Sequence, residues 1–218
     1  AELGRLLTGA KLSIRHIGDK YLLVRSQSSV LSDEMFEFTN VRFNEIMRQH
    51  VARTRLHFEA QYRAHHDLMT GLMNERGFSA YSMEFQPTRS MHYAAIFIDV
   101  DRFHRINDSM GFKFGDSILV EVAQRLQAMA GPNDQVVRLS SDEFLILCET
   151  ADEEEARSKA LQVQSDLQFS AINEGIELNV TFTVGLVPYK PTEVTSTELL
   201  HQGALALNLA QQQLRNGF

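Results

Sequence analysis

The sequence predicts an α+β protein with a mostly antiparallel central sheet flanked by helices and preceded by a long linker helix. Three observations lead there. From Ser32 to His66 there is no proline or glycine, and apolar residues recur at helical spacing. Beyond Asp67, helical and strand-like segments alternate along the chain. Among them, Val136–Leu139 and Glu143–Glu149 are joined only through Ser140, Ser141 and Asp142, a connection so short that the two strands must run antiparallel.

Each element has its own local reason. Residues 1–31 form a short β-rich segment, because the alternating runs Leu12–Arg15 and Tyr21–Val24 flank Gly18–Asp19 as in a hairpin. A lone hairpin is too small to be stable, so the segment reads as the remnant of a sensor domain. Residues 32–66 form the linker helix, with Met35, Phe36, Phe43, Ile46, Met47, Val51, Phe58 and Tyr62 on its apolar side. Its seven-residue register is imperfect, since Phe36 and Phe43 are followed by His50 and His57, so the expectation is weak pairing with a second copy. Residues 67–218 form the main domain. There Met91–Val100 is a compact apolar strand, and Gly115–Ala130 is a helix with Ile118, Leu119, Val122, Leu126 and Met129 on one face. Thr150 with Glu153, and Thr195 with Glu198, have the spacing of capping boxes that open the last two helices. Leu178–Val184 alternates as one strand.

The bulk properties narrow the function classes. A chain of 218 residues that is 44% hydrophobic can bury a core, and the net charge of −7 comes with scattered Lys and Arg. No basic stripe exists to neutralise a nucleic-acid backbone, so nucleic acid is not an expected partner, while a single nucleotide needs only local cations. The one cysteine, Cys148, sits in an apolar run and reads as a buried free thiol, which excludes a disulfide scaffold and fits a cytoplasmic setting. No apolar stretch is long enough to cross a bilayer. The start at Ala1 suggests a piece of a longer protein, whose parent could still be attached to a membrane.

The cluster that carries chemistry is Phe97–Asp101 at a strand end, together with the turn Ser141–Phe144. A strand end and a neighbouring turn can bring several carboxylates to one sheet edge, where they repel one another unless a hard cation lies between them. That is how magnesium and a nucleoside triphosphate are held for phosphoryl or nucleotidyl transfer. Acidic residues at strand ends are also ordinary solvated charges, and spacing alone leaves both readings open.

Several blocks in order resemble one family. Asp67–Arg76 looks like D-x-L-T-G-L-x-N-R-R. Asp99–Asp108, with Gly111 and Gly115–Asp116, matches D-x-D-x-F-K-x-I-N-D-x-x-G-H-x-x-G-D. Arg138–Phe144 stands where R-Y-G-G-D-E-F would be, Thr183–Gly185 where S-x-G would be, and Ala210–Asn216 where A-K-x-x-G-R-N would be. The chain is thus similar to GGDEF domains, the diguanylate cyclase family with a nucleotide-cyclase or palm-like fold. The resemblance implies two GTP-bearing monomers, each 3′-hydroxyl attacking the other α-phosphate to give cyclic di-GMP and pyrophosphate. By position, Asp99 and Asp142 and the Val100 carbonyl would hold magnesium. Glu143, the second catalytic residue with Asp142, would assist near the 3′-hydroxyl. Asn107 and Asp116 would read the guanine edge, an amide and a carboxylate together matching its donors and acceptor. Singly, Asn107 also reads as a helix-end residue and Asp116 as an N-cap.

The departures from the pattern fall on the phosphate side. Ser140 and Ser141 replace the signature glycines, which approach phosphates closely and take positive φ at little cost, so the two side chains should crowd a nucleotide. His104 stands for the Lys of the F-K step, and Gln211 for the C-terminal phosphate Lys, leaving Arg215 as the obvious cation for the triphosphate. Each lost charge-assisted hydrogen bond is worth about 1.5–3 kcal/mol. The R-x-x-D inhibition motif is broken as well, with Gly131 in place of Arg ahead of Asp134. Three readings follow: a degenerate regulatory or dimerising domain with weak or lost cyclisation, an active diguanylate cyclase, or a ligand-free docking module.

Other suggestive residues are better read plainly. His65 and His66 point about 100° apart on a helix and do not share a metal. Asp152–Glu155 is an acidic helix start that favours the dipole. The eight histidines show no zinc spacing.

Overall fold

The computed structural model describes residues 12–17, 20–25, 33–85 and 92–216, with side chains over 41–85 and 92–213. Contacts divide the chain into two units, Ala1–Gln61 and Tyr62–Phe218. In the first, Leu12–Ile17 (β1) and Lys20–Arg25 (β2) pair antiparallel with Ile17 opposite Lys20. The turn at Gly18–Asp19 lies outside the described residues, as do the side chains of Met35 and Phe36. The next helix, Asp33–His65 (α1), runs unbroken, as its freedom from proline and glycine predicts. Val41, Leu56 and Phe58 on it are exposed and Phe43 is buried.

The second unit continues with Met73–Asn74 (β3), Glu75–Glu84 (α2), His92–Val100 (β4), Phe103–Met110 (α3), Phe112–Met129 (α4), Gln135–Arg138 (β5) and Glu143–Thr150 (β6). Then follow Glu153–Asp166 (α5), Phe169–Asn173 (β7), Ile176–Val180 (β8), Phe182–Tyr189 (β9) and Ser196–Asn216 (α6). The main sheet has the order β3-β5-β6-β4-β9, and only β3 and β5 run parallel. This is the mixed fold the sequence predicts, a mostly antiparallel sheet with helices on both faces.

Both faces of β4 are buried, which explains why its run is apolar without alternation. Ala94, Ile96, Ile98 and Val100 pack with Ile118, Leu119, Val122 and Leu126 of α4 and with Phe144 and Ile146. The intervening Tyr93, Ala95 and Phe97 face the other way, toward Phe78 of α2 and Leu199 and Leu207 of α6. Helix α6 lies so close to the sheet that a Cβ at Gly203 would meet the Phe97 ring at 2.2 Å. That approach carries the end of α6 toward the C-terminal end of β4. Cys148 is buried as predicted, and burial, helped by the Asp134 carboxylate, pushes its thiol up to about 11, where it stays unreactive.

Three local expectations are corrected. The α5 cap is Asp152, whose carboxylate accepts from the Glu155 N–H at 2.8 Å while Glu155 accepts from the Ala151 N–H. Thr150 cannot serve, because it is the buried last residue of β6. The Thr195 cap does form, with the Glu198 N–H donating to its hydroxyl at 3.2 Å. The run Leu178–Val184 is not one strand: it breaks at Thr181, whose carbonyl accepts from the Asp101 N–H, and β8 turns away to pair with β7. The helix expected from Gly115 begins earlier, at Phe112.

Candidate functional site

Asp99 is the penultimate residue of β4, and the antiparallel register sets it directly opposite Glu143 of β6 and Thr183 of β9. Directly opposed residues share a sheet face, so two acids are held side by side. Asp142 precedes Glu143 at the turn, and its carbonyl accepts from the Val100 N–H at 3.2 Å. Asp99, Asp142 and Glu143 therefore meet at one edge. Burial, then the charges of Asp142, Glu143 and Asp101, raise the Asp99 carboxyl to about 7, and a hydrogen bond from Gln211 opposes the rise.

Crowded acids of this kind fit a hard divalent cation, which would relieve their repulsion. Among the described residues no three His, Cys, Asp or Glu side chains are grouped closely enough to hold a metal by themselves. Magnesium suits such a short donor set, because it commonly takes one or two carboxylates and completes its shell with water and substrate phosphates. Asp101, counted by spacing among these acids, is turned elsewhere. It accepts from the Thr181 and Thr183 hydroxyls, both at 2.7 Å, and so ties β4 to the start of β9.

The signature turn is built differently from expectation. Neither Ser140 nor Ser141 takes a positive φ, so the turn needs no glycine for its backbone. The Ser140 hydroxyl donates to Glu143 Oε2 at 3.2 Å, and the Ser141 hydroxyl donates to Asp142 Oδ1. The two serines thus engage the two acids beside them. The left-handed backbone in this region is at Arg102 instead, with φ +56° where β4 passes into α3. The sequence offers no glycine or asparagine there to announce it.

Gln211 of α6 donates its amide N–H to Asp99 Oδ1 at 3.1 Å. Gln211, at the position where the family pattern has a lysine, thus serves the carboxylate edge. His104 is exposed on α3, and the side chain of Arg215 lies outside the described residues.

Sequence reasoning missed the anchor of the signature turn. Arg138 donates to Asp67 Oδ1 at 2.8 Å and to the Ser141 carbonyl at 2.7 Å. Asp67 also accepts from the N–H and hydroxyl of Thr70. Burial pushes the Asp67 carboxyl up, but the hydrogen bonds from Thr70 and Arg138 outweigh it and hold the group below the ordinary carboxylate value. Asp and Arg in two of the quoted motif blocks were the available signal, and their pairing across the chain was not legible.

A second region lies between α3 and α4. Asn107 Oδ1 is buried there without a hydrogen-bond partner. A Cβ on Gly115 would stand 1.9 Å from that oxygen, so the absence of a side chain at Gly115 is what lets the amide lie against α4. Asp116, the next residue, is exposed on α4. Elsewhere, Asp134 accepts from the Gly131 N–H at 2.8 Å and closes its own loop. A cavity of ≈ 780 Å³ opens at the opposite end of the sheet, among His92, Thr150, Arg157 and Lys190, away from all these groups.

Comparison with known proteins agrees with this geometry. The family described as "Diguanylate cyclase, GGDEF domain" matches residues 64–217. Over 159 residues the chain is 32% identical to the diguanylate cyclase TpbB of Pseudomonas aeruginosa, covering 71% of this chain and 37% of that protein. It is 29% identical over 180 residues to the cyclic di-GMP phosphodiesterase NbdA of the same species, covering 81% of this chain and 23% of that protein. The chain therefore spans well under half the length of these relatives. Its fold is similar to the crystal structure of a sensory box/GGDEF protein from Caulobacter crescentus, with a TM-score of 0.61 and 28% identity, covering 69% of this chain and 99% of that one. Motif order, sheet topology and these likenesses coincide, and the chain belongs to the GGDEF, or diguanylate cyclase, family.

Proposed function

We propose that this chain is a cyclic di-GMP signalling domain that binds GTP with magnesium weakly and cyclises it slowly or not at all, its main work being regulatory or dimerising. The observation that carries the reading is the state of the acidic edge. Asp99, Asp142 and Glu143 stand together, yet each is already engaged by a neighbour that a phosphate-gripping site would not supply: Gln211, Ser141 and Ser140.

Asp99, Asp142 and the Val100 carbonyl would hold magnesium, which when bound offsets charge on the triphosphate. Glu143, on the same edge, would accept the proton of a 3′-hydroxyl. Asn107 and Asp116 are the candidates for the guanine edge. Asn107 Oδ1 has no hydrogen-bond partner in the fold and would accept from a base N–H. A buried acceptor without a partner costs about 1–3 kcal/mol, and that penalty is relieved on binding. His104 stands where the family pattern has a lysine, and Ser140 and Ser141 narrow the approach of phosphate.

The three-part division into residues 1–31, 32–66 and 67–218 belongs to the same reading. The helix α1 exposes Val51 and Phe58 on one stripe, which supports pairing with the same helix of a second copy. That the three acids remain together favours the second reading, a working diguanylate cyclase. Incubation with GTP and magnesium, followed by chromatography for cyclic di-GMP, separates the two: turnover comparable to an intact cyclase overturns the first. Calorimetry with GTP addresses the binding itself, and a null titration leaves only a ligand-free docking module.

A further inference from the structure

Phe112 is the first residue of α4, and its ring is 74% exposed, so it contributes almost nothing to the core. It stands four residues before Asp116, one helical turn away, so the two side chains are neighbours on one face. Helical side chains tilt toward the N-terminus, which brings the Asp116 carboxylate over the turn that Phe112 occupies. Gly115 lies in the same turn and has no Cβ, which admits the Asn107 amide from α3. An exposed aromatic ring, an exposed carboxylate and an amide with a buried unpartnered oxygen thus lie on adjoining turns where the two helices meet.

We infer that Phe112 is the aromatic wall of a base site at this junction, stacking on the face of a purine base whose edge is read by Asn107 and Asp116. The inference rests on the nucleotide reading given above and adds to it the residue that grips the base by its face. A ring face is indifferent to the exocyclic groups of the base, whereas the amide and carboxylate are not. Phe112 therefore contributes affinity for any purine nucleotide, and the preference for guanine resides in its two neighbours.

The chain contains no tryptophan, so Phe112→Trp introduces a single fluorophore at the wall. Titrating that variant with GTP and magnesium should quench its emission saturably, as a base stacks on the indole. By calorimetry, Phe112→Ala should bind GTP roughly ten-fold more weakly, the scale of base–aromatic stacking. ATP should weaken by the same factor, leaving the GTP-to-ATP ratio unchanged, and the melting temperature should not move because the ring is exposed. GTP binding to the unaltered chain, with the tryptophan emission unmoved and the alanine variant equally tight, overturns the role of Phe112 alone. Absence of GTP binding to the unaltered chain overturns the nucleotide reading and this inference with it.

Discussion

The side-chain amide of Gln211, near the end of the last helix, donates a 3.1 Å hydrogen bond to Oδ1 of Asp99 at the end of the central strand β4. The contact depends on the close approach of α6 to the sheet at Gly203, and it joins a position that the family pattern assigns to phosphate with one that it assigns to metal.

Replacing that amide by an ammonium should convert the contact into a charge-assisted one that also attracts triphosphate. Gln211→Lys is expected to tighten GTP binding in the presence of magnesium by roughly ten-fold or more, from a charge-assisted hydrogen bond of about 1.5–3 kcal/mol. Calorimetry at matched ionic strength checks it, and an unchanged affinity would show that lost charge is not the defect.

The acidic edge should make stability depend on pH in a stated direction. Asp99 has an ordinary value of 3.8 and is raised to about 7 in the fold, chiefly by burial and then by Asp142 and Glu143. Between those values the native state holds a proton that the unfolded chain has released, so stability falls as pH rises through this window and levels off above it. Asp99→Asn should therefore raise the melting temperature at pH 8, by roughly 2–4 °C for each kcal/mol relieved. Its advantage should shrink toward pH 4. Magnesium binding to the unaltered chain should strengthen as pH rises through 7, since the cation requires the ionised carboxylate.

Removing the Arg138 guanidinium should loosen the signature turn. Arg138→Ala leaves Asp67 half-buried without its cation and the Ser141 carbonyl without its donor. A loss of about 2–3 kcal/mol is expected, below the full range for a buried pair because Asp67 is partly exposed. Asp67 is held below its ordinary value, so the pair contributes fully above pH 3.8 and is lost as pH falls through the lowered value. Urea unfolding at pH 7 and at pH 3 measures both effects; equal losses at the two pH values would contradict the assignment.

Restoring glycine at both signature positions should free the acids. Ser140→Gly with Ser141→Gly removes the hydroxyls that engage Glu143 and Asp142 and opens the approach to phosphate. Neither serine takes a positive φ, so the gain should appear in nucleotide binding and turnover, while stability should fall slightly through glycine's greater unfolded-state freedom. Combined with Gln211→Lys, the triple variant should make more cyclic di-GMP than the parent. If its product yield stays at the parental level, side-chain crowding is not what limits this site.

Much of this could be read before any coordinates. Period and turn length indicated β4, the β5–β6 hairpin and the long α1 helix, because a side-chain repeat of two or 3.6 residues is a local property of the chain. The order of the motif blocks identified the family and named Asp99, Asp142, Glu143, Asn107 and Asp116. Local signals failed where a distant partner intervened. The break at Thr181 follows from its bonds to Asp101, and the cap of α5 moved to Asp152 because Thr150 is claimed by the sheet.

The sequence by itself determined the fold class, the family and the inventory of acidic, amide and hydroxyl groups, since these follow from residue type and spacing. Only the tertiary structure decided what those groups do to one another: that Ser140 and Ser141 bond to the acids, that Gln211 reaches Asp99, and that Arg138 holds Asp67. Hydrogen bonds are short-ranged and directional, so they depend on which side chains the packing of β4, β6 and α6 brings within about 3 Å, and no pattern along the chain encodes that distance.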